Sequence, residues 1–217
     1  MALNKLKFNS LNVTPTAGKS IGFNSSADGL EATLSGGAMT FIKKLTASSD
    51  STLSFVDGSS DVVLDNTYKE YLFIFKDMHP STQSGVYFNG STDSGSNYNV
   101  AKTTTYFLSR HAEDDSSSEL SYKTSLDLAQ GTGFQPLNID QVNDNDSSMC
   151  GLLHLFNPSS TTFVKHYISR TQQMQVDDSM ENYSAGYFNT TSAVDAIQFK
   201  YSAGTIDAGT ITLYGIN

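Results

Sequence analysis

Four histidines, His79, His111, His154 and His166, are the side chains of this 217-residue chain best suited to hold a metal or move a proton near neutral pH. His154 and His166 flank the turn Asn157-Pro158-Ser159-Ser160, and on two antiparallel strands they could face each other and share a cation. No third ligand accompanies them, so strand-surface histidines are the simpler reading. The loop Asn143-Asp144-Asn145-Asp146 carries the oxygen ligands calcium takes, but Met149 stands where the EF-hand pattern needs glycine, and a solvated acidic loop accounts for it. His111, Asp114 and Ser116 have the types of a nucleophilic triad yet sit too close together in one loop to be preorganised. There is no Walker or G-x-G-x-x-G pattern, and no carboxylate pair stands in an apolar setting that would raise one pKa. The lone Cys150 can form neither an intrachain disulfide nor a zinc site. No catalytic, cofactor-binding or metal residues are assigned, and a non-enzymatic protein is expected.

Binding chemistry has more material. The 13 Phe and 11 Tyr could stack on sugar rings, although there is no Trp and most of these aromatics occupy inward-facing strand positions. Tyr98, Tyr122 and Tyr183 are left as loop tyrosines able to contact a ligand, packing beneath a loop being the plainer alternative. A net charge of −9 disfavours nucleic acid, since Lys43-Lys44 is the one adjacent basic pair. No apolar run approaches the ~20 residues of a membrane span, and the start MALNKLKFNSLNVT lacks the apolar stretch of a signal peptide, so cytoplasmic synthesis without membrane insertion is expected.

The elements that would position these residues read as β. Apolar residues rarely recur at helical spacing, whereas alternation is frequent. Thr40 to Ala47 and the following TLSFV form a hairpin candidate. Tyr68 to Met78 reads as a covered central strand, with Tyr71, Phe73 and Phe75 on one face, ended by His79-Pro80. Val86 and Phe88 share a face, and Thr103 to His111 is another strand. His111 to Tyr122 reads as an exposed acidic loop, and the stretch SSELSYKTSLDLAQ alternatively holds a short helix. CGLLHLF and TTFVKHYISR around NPSS form the clearest hairpin, and DAIQFKYS with GTITLYGI forms another. Leu53, Phe55, Tyr71, Phe73, Phe75, Ile197, Phe199, Ile211 and Leu213 are the expected interior. The fold class is all-β, an antiparallel two-sheet sandwich of jelly-roll type, over residues 39–217. Residues 1–38 are punctuated by Gly and Pro and read as an extended N-terminal assembly arm. Its isolated apolar side chains Leu6, Phe8, Leu11, Val13, Ile21 and Phe23 would insert into a neighbouring subunit.

Three stretches, LTASSDSTLSFVDG (45–58), YKEYLFIFKDMHPSTQSGVYFNGSTDSGSNY (68–98) and AIQFKYSAGTIDAGTITLYGI (196–216), resemble a β-sandwich module of phage and prophage virion proteins common in marine phages. The resemblance spans roughly residues 39–217 and is strongest at its ends. The segment PTAGKSIGFNSSADGLE is similar to N-terminal segments by which phage appendage proteins attach or trimerise. The resemblance implies a structural protein on the particle exterior, either a capsid decoration or a short tail appendage, located in the virion after synthesis in the host cytoplasm. Its implied partners are further copies of itself, as a homo-oligomer and most plausibly a trimer, and other virion proteins. The competing readings are a host-surface glycan-binding module of a tail fibre and, third, a polysaccharide hydrolase. Residues 99–195 fit no part of the module and would form specificity loops.

Overall fold

The computed structural model describes residues 20–23, 30–33 and 38–216. The chain divides into two units, Met1–Ala38 and Met39–Asn217. In the first, β1 (Ser20–Phe23) and β2 (Leu30–Thr33) pair antiparallel, with Phe23 opposite Leu30. These residues of the expected arm are thus extended strands paired with each other. Ile21, Phe23 and Leu30 are all exposed, so the pair buries little of its apolar surface, and an isolated two-stranded hairpin is marginal in water. Leu6, Phe8, Leu11 and Val13 lie outside the described residues.

The second unit contains twelve strands: β3 (Met39–Thr46), β4 (Leu53–Val56), β5 (Glu70–Pro80), β6 (Val86–Ser91), β7 (Lys102–Ala112), β8 (Ser118–Tyr122), β9 (Gln135–Pro136), β10 (Met149–Phe156), β11 (Lys165–Gln175), β12 (Asp178–Phe188), β13 (Ala196–Tyr201) and β14 (Ile206–Ile216). They form an eight-stranded sheet ordered β3-β14-β5-β10-β11-β12-β7-β8 and a four-stranded sheet ordered β4-β13-β6-β9. Among the described residues no helix is long and apolar enough to cross a membrane.

Two long antiparallel ribbons, each bent over a corner, generate this order. Residues 39–56 run against 196–216: β3 pairs with β14 in one sheet and β4 with β13 in the other, and the bend is held by mutual backbone bonds between Asp50 and Ile206. Residues 70–91 run likewise against 135–156, with β5 on β10, β6 on β9, and a bridge from Ser84 to Gln141 at the corner. This is the double-sheet jelly roll. It corrects two local hairpins read from the sequence. β3 and β4 lie in different sheets, as do β13 and β14, each strand bonding instead to a strand of the other run about 150 positions away. The β10–β11 hairpin is present, with Leu155 opposite Tyr167.

The hairpins β7–β8 and β11–β12 extend the larger sheet beyond β10. Residues 99–195 are thus largely long strands rather than display loops. The acidic run at 111–122 is the β7–β8 turn and strand, followed by a 3-10 turn at Thr124–Leu126 in place of the alternative helix.

All nine expected interior side chains are buried. Phe199 of β13 lies at the centre, its ring 5.3 Å from Phe73 and 5.2 Å from Phe75 on the facing sheet, both edge-on. Parity along β5 resets at Asp77, whose φ of 52° marks a bulge, so Met78 turns inward rather than sharing the outer face of Leu72 and Ile74.

The inner face of the extension is polar. Lys165, Ser169, Thr171 and Gln173 of β11 and Asn182 and Ser184 of β12 are buried. The segment 124–148 is hydrogen-bonded to part of this face: Thr171 Oγ1 donates to the Leu137 carbonyl at 2.8 Å, Thr104 Oγ1 of β7 to Gln135 Oε1 at 2.6 Å, and Asn138 Nδ2 to Gln173.

Candidate functional site

The opposite, outer face of β10, β11, β12 and β7 has no covering layer among the described residues, and its side chains form the candidate site. Alternation sends His166, Ile168 and Arg170 outward while Tyr167, Ser169 and Thr171 are buried. Register then aligns the strands in rows. His166, Tyr187 and Thr103 make one row; Ile168, Ala185 and Thr105 the next; Arg170, Tyr183, Phe107 and Tyr122 the third. The small Ala185 lowers the middle of β12 and opens a trough of about 480 Å³, walled by Phe156, His166, Tyr187 and Ile168 and by Thr103 and Thr105 of β7.

The third row is self-engaged. The Phe107 and Tyr183 rings stack with centroids 4.6 Å apart and planes 7° from parallel, and the Arg170 guanidinium lies 5.6 Å from the Tyr183 ring while binding Glu181. That hydrogen bond holds the Glu181 carboxyl below, and the Arg170 guanidinium above, their ordinary pKa values. These stacked faces are unavailable to a sugar. The free surface is the trough: the Tyr187 and Phe156 rings, the His166 imidazole, and the Thr103 and Thr105 hydroxyls. Glu70, also on this face, is bonded to His154 Nδ1. With Glu70 bonded to His154 and Glu181 to Arg170, the trough offers binding through aromatic and hydroxyl contacts.

The structure separates most of the residues singled out from sequence. His154 lies opposite Ile168, not His166, and each imidazole has its own neighbour, Glu70 for His154 and the Tyr187 ring for His166. No three His, Cys, Asp or Glu side chains among the described residues converge as metal ligands. In the acidic loop, the Asp144 carbonyl is hydrogen-bonded to His79 Nε2 at 3.1 Å. His111 Nε2 contacts Asp115, while Asp114 accepts the Ser116 backbone N–H, so the triad types do not form a relay. Tyr122 and Tyr183 stand on β8 and β12, which corrects their placement in loops, and Tyr98 is half-buried in a loop. Ile21 and Phe23 are exposed on β1.

Ile168, Tyr187 and Phe156 were missed as trough residues. Alternation in KHYISRTQQMQ carries part of the signal, but the trough depends on pairing β12 with β7, a register between two separate hairpins that no local pattern encodes. No family model, curated protein or solved structure matches the chain.

Proposed function

We propose that the chain is a non-enzymatic structural subunit on the exterior of a phage particle, a capsid decoration or a short tail appendage. The observation that carries this reading is the order β3-β14-β5-β10 within the larger sheet and β4-β13-β6-β9 in the smaller, two corner-bent ribbons in an architecture that viral capsid and lectin domains use. It accords with the three sequence stretches that resemble virion sandwich modules, all of which lie on the two ribbons. Exposed apolar side chains at Ile21 and Phe23 supply a reason for association with other subunits. The test is location: antibody labelling and reconstruction of particles made with the full chain and with a variant lacking residues 1–37. Density and label on the exterior with the full chain, lost with the shortened one, support the reading; a chain absent from particles defeats it.

The trough favours a second reading, a host-surface glycan-binding module. Aromatic walls flanked by hydroxyls and an imidazole are the contacts a pyranose takes up. Glycan-array binding that Tyr187→Ala abolishes, with particle incorporation unchanged, would establish it.

A further inference from the structure

The larger sheet ends at β8, and among the described residues no strand pairs with its outer edge. Lys123 N–H donates to the Tyr106 carbonyl and Ala112 N–H to the Ser117 carbonyl. Bonded pairs recur at every second residue of an antiparallel ladder, so Ser121 and Glu119 face β7 while Ser118, Leu120 and Tyr122 turn their N–H and C=O groups outward. The same three residues expose their side chains, and Leu120, at 77%, is the most exposed large hydrophobic among the described residues. The opposite edge strand, β3, carries Lys43 and Lys44, which blunt pairing; β8 has no Lys, Pro or bulge.

Charge and pattern select the occupant. Residues 113–127 contain five acids against Lys123 alone, and Asp127 Oδ1, beside the Tyr122 hydroxyl held by Oδ2, has no donor among the described residues. Residues 1–19 contain Lys5, Lys7 and Lys19 and no acid, with Leu6 and Phe8 alternating with the first two lysines. We infer that residues 5–13 of a second copy add to β8 as a further strand. One register suits both faces: Leu6 and Phe8 lie beside Leu120 and Tyr122 on the outer face, and Lys5 and Lys7 fall on the face of Glu119, where they join Lys123, 2.7 Å from that carboxylate, and Arg110, 4.0 Å from it. A slip by one residue would reverse both matches. Backbone bonds supply affinity and the alternation supplies specificity. The inference deepens the assembly reading above, and rests on it, by naming the partner surface.

The test uses the purified full chain, so its result is separate from whether the chain enters particles. Sedimentation should show self-association that Leu120→Pro weakens by about tenfold or more, since the lost N–H points away from β7 and the fold is kept, as circular dichroism would verify. In a Cys150→Ser background, chains with Phe8→Cys are mixed with longer-tagged chains carrying either Leu120→Cys or, on the opposite edge, Phe41→Cys. A disulfide between chains formed several-fold more readily with Leu120→Cys is expected. A monomeric full chain, association untouched by Leu120→Pro, or equal cross-linking at both edges would each overturn the proposal.

Discussion

The rings of Phe73 and Phe199 meet edge to face across the two sheets, their centroids 5.3 Å apart and their planes at 63°. Both side chains are fully buried, and Phe199 also touches Phe55, Phe75 and Phe88. Phe73→Ala and Phe199→Ala should each destabilise the fold by about 3 to 5 kcal/mol. Their double-mutant cycle should give a coupling of about 0.5 to 1.5 kcal/mol, measured by urea denaturation. A loss under about 1 kcal/mol for either variant would remove that ring from the centre of the sandwich.

Lys102 is buried with its Nζ donating to Asn89 Oδ1 at 2.5 Å and to the Val100 carbonyl at 2.9 Å, two acceptors that match the two N–H groups of a neutral amine. Burial pushes its pKa down to about 7, whereas an unfolded lysine titrates near ~10.4. Between these values the unfolded chain holds a proton that the native chain lacks, so stability should rise with pH from about 7 to about 10, by an order of a few kcal/mol, and be insensitive to this group below about 7. Lys165, lowered by burial in the same direction, adds to the same slope. Lys102→Met should flatten the dependence of the denaturation midpoint over that window; an unchanged slope would mean the amine is charged in the native state.

Asn138 holds the cover segment to both sheets. Its Oδ1 accepts the Val86 N–H at 2.6 Å, and its Nδ2 donates to Gln141 Oε1 at 3.1 Å and to Gln173. Asn138→Ala leaves these buried partners unsatisfied and should cost about 2 to 5 kcal/mol. Hydrogen exchange should show protection lost first over 124–148.

Gly209 has a φ of +115°, and a Cβ there would lie 2.7 Å from the Asp77 carbonyl oxygen and from Met78 Cα, backbone atoms at the β5 bulge. Gly209→Ala should therefore destabilise by about 2 kcal/mol or more, through strain and overlap together. A thermal melt shifted by less than a degree or two would mean the bulge relaxes freely.

The fold class was legible because ribbon strands such as β4 and β13 keep one apolar face by alternation, as Leu53/Phe55 and Ile197/Phe199 do. The pairing was not, because a turn-rich link such as 47–52 has the same composition whether it closes a hairpin or carries the chain across a corner. The polar stretch around Gln135, Asn138 and Gln141 reads as exposed, yet all three side chains are fully buried. Their partners Thr104, Val86 and Gln173 come from three separate strands, so their burial is a tertiary property that composition does not carry. The trough was hidden for the same reason: its walls come from β7, β10, β11 and β12, brought together only by register.

The corner-bent ribbon also governs how the chain is made. β3 bonds in its sheet to β14 alone, so it has no neighbour until residues 206–216 emerge, and β5 has none until β10 emerges. At about 5 to 20 residues per second, the interval between completing β5 and completing β10 is roughly 4 to 15 s, and for that time Tyr71, Phe73 and Phe75 stand on an unpaired strand. Folding is completed only after β14 emerges, when the β3–β14 pairing closes a loop of more than a hundred residues. Apolar strands left unpaired in this way are open to aggregation, so the yield of such a chain depends on protection during synthesis as well as on the stability of the finished sandwich.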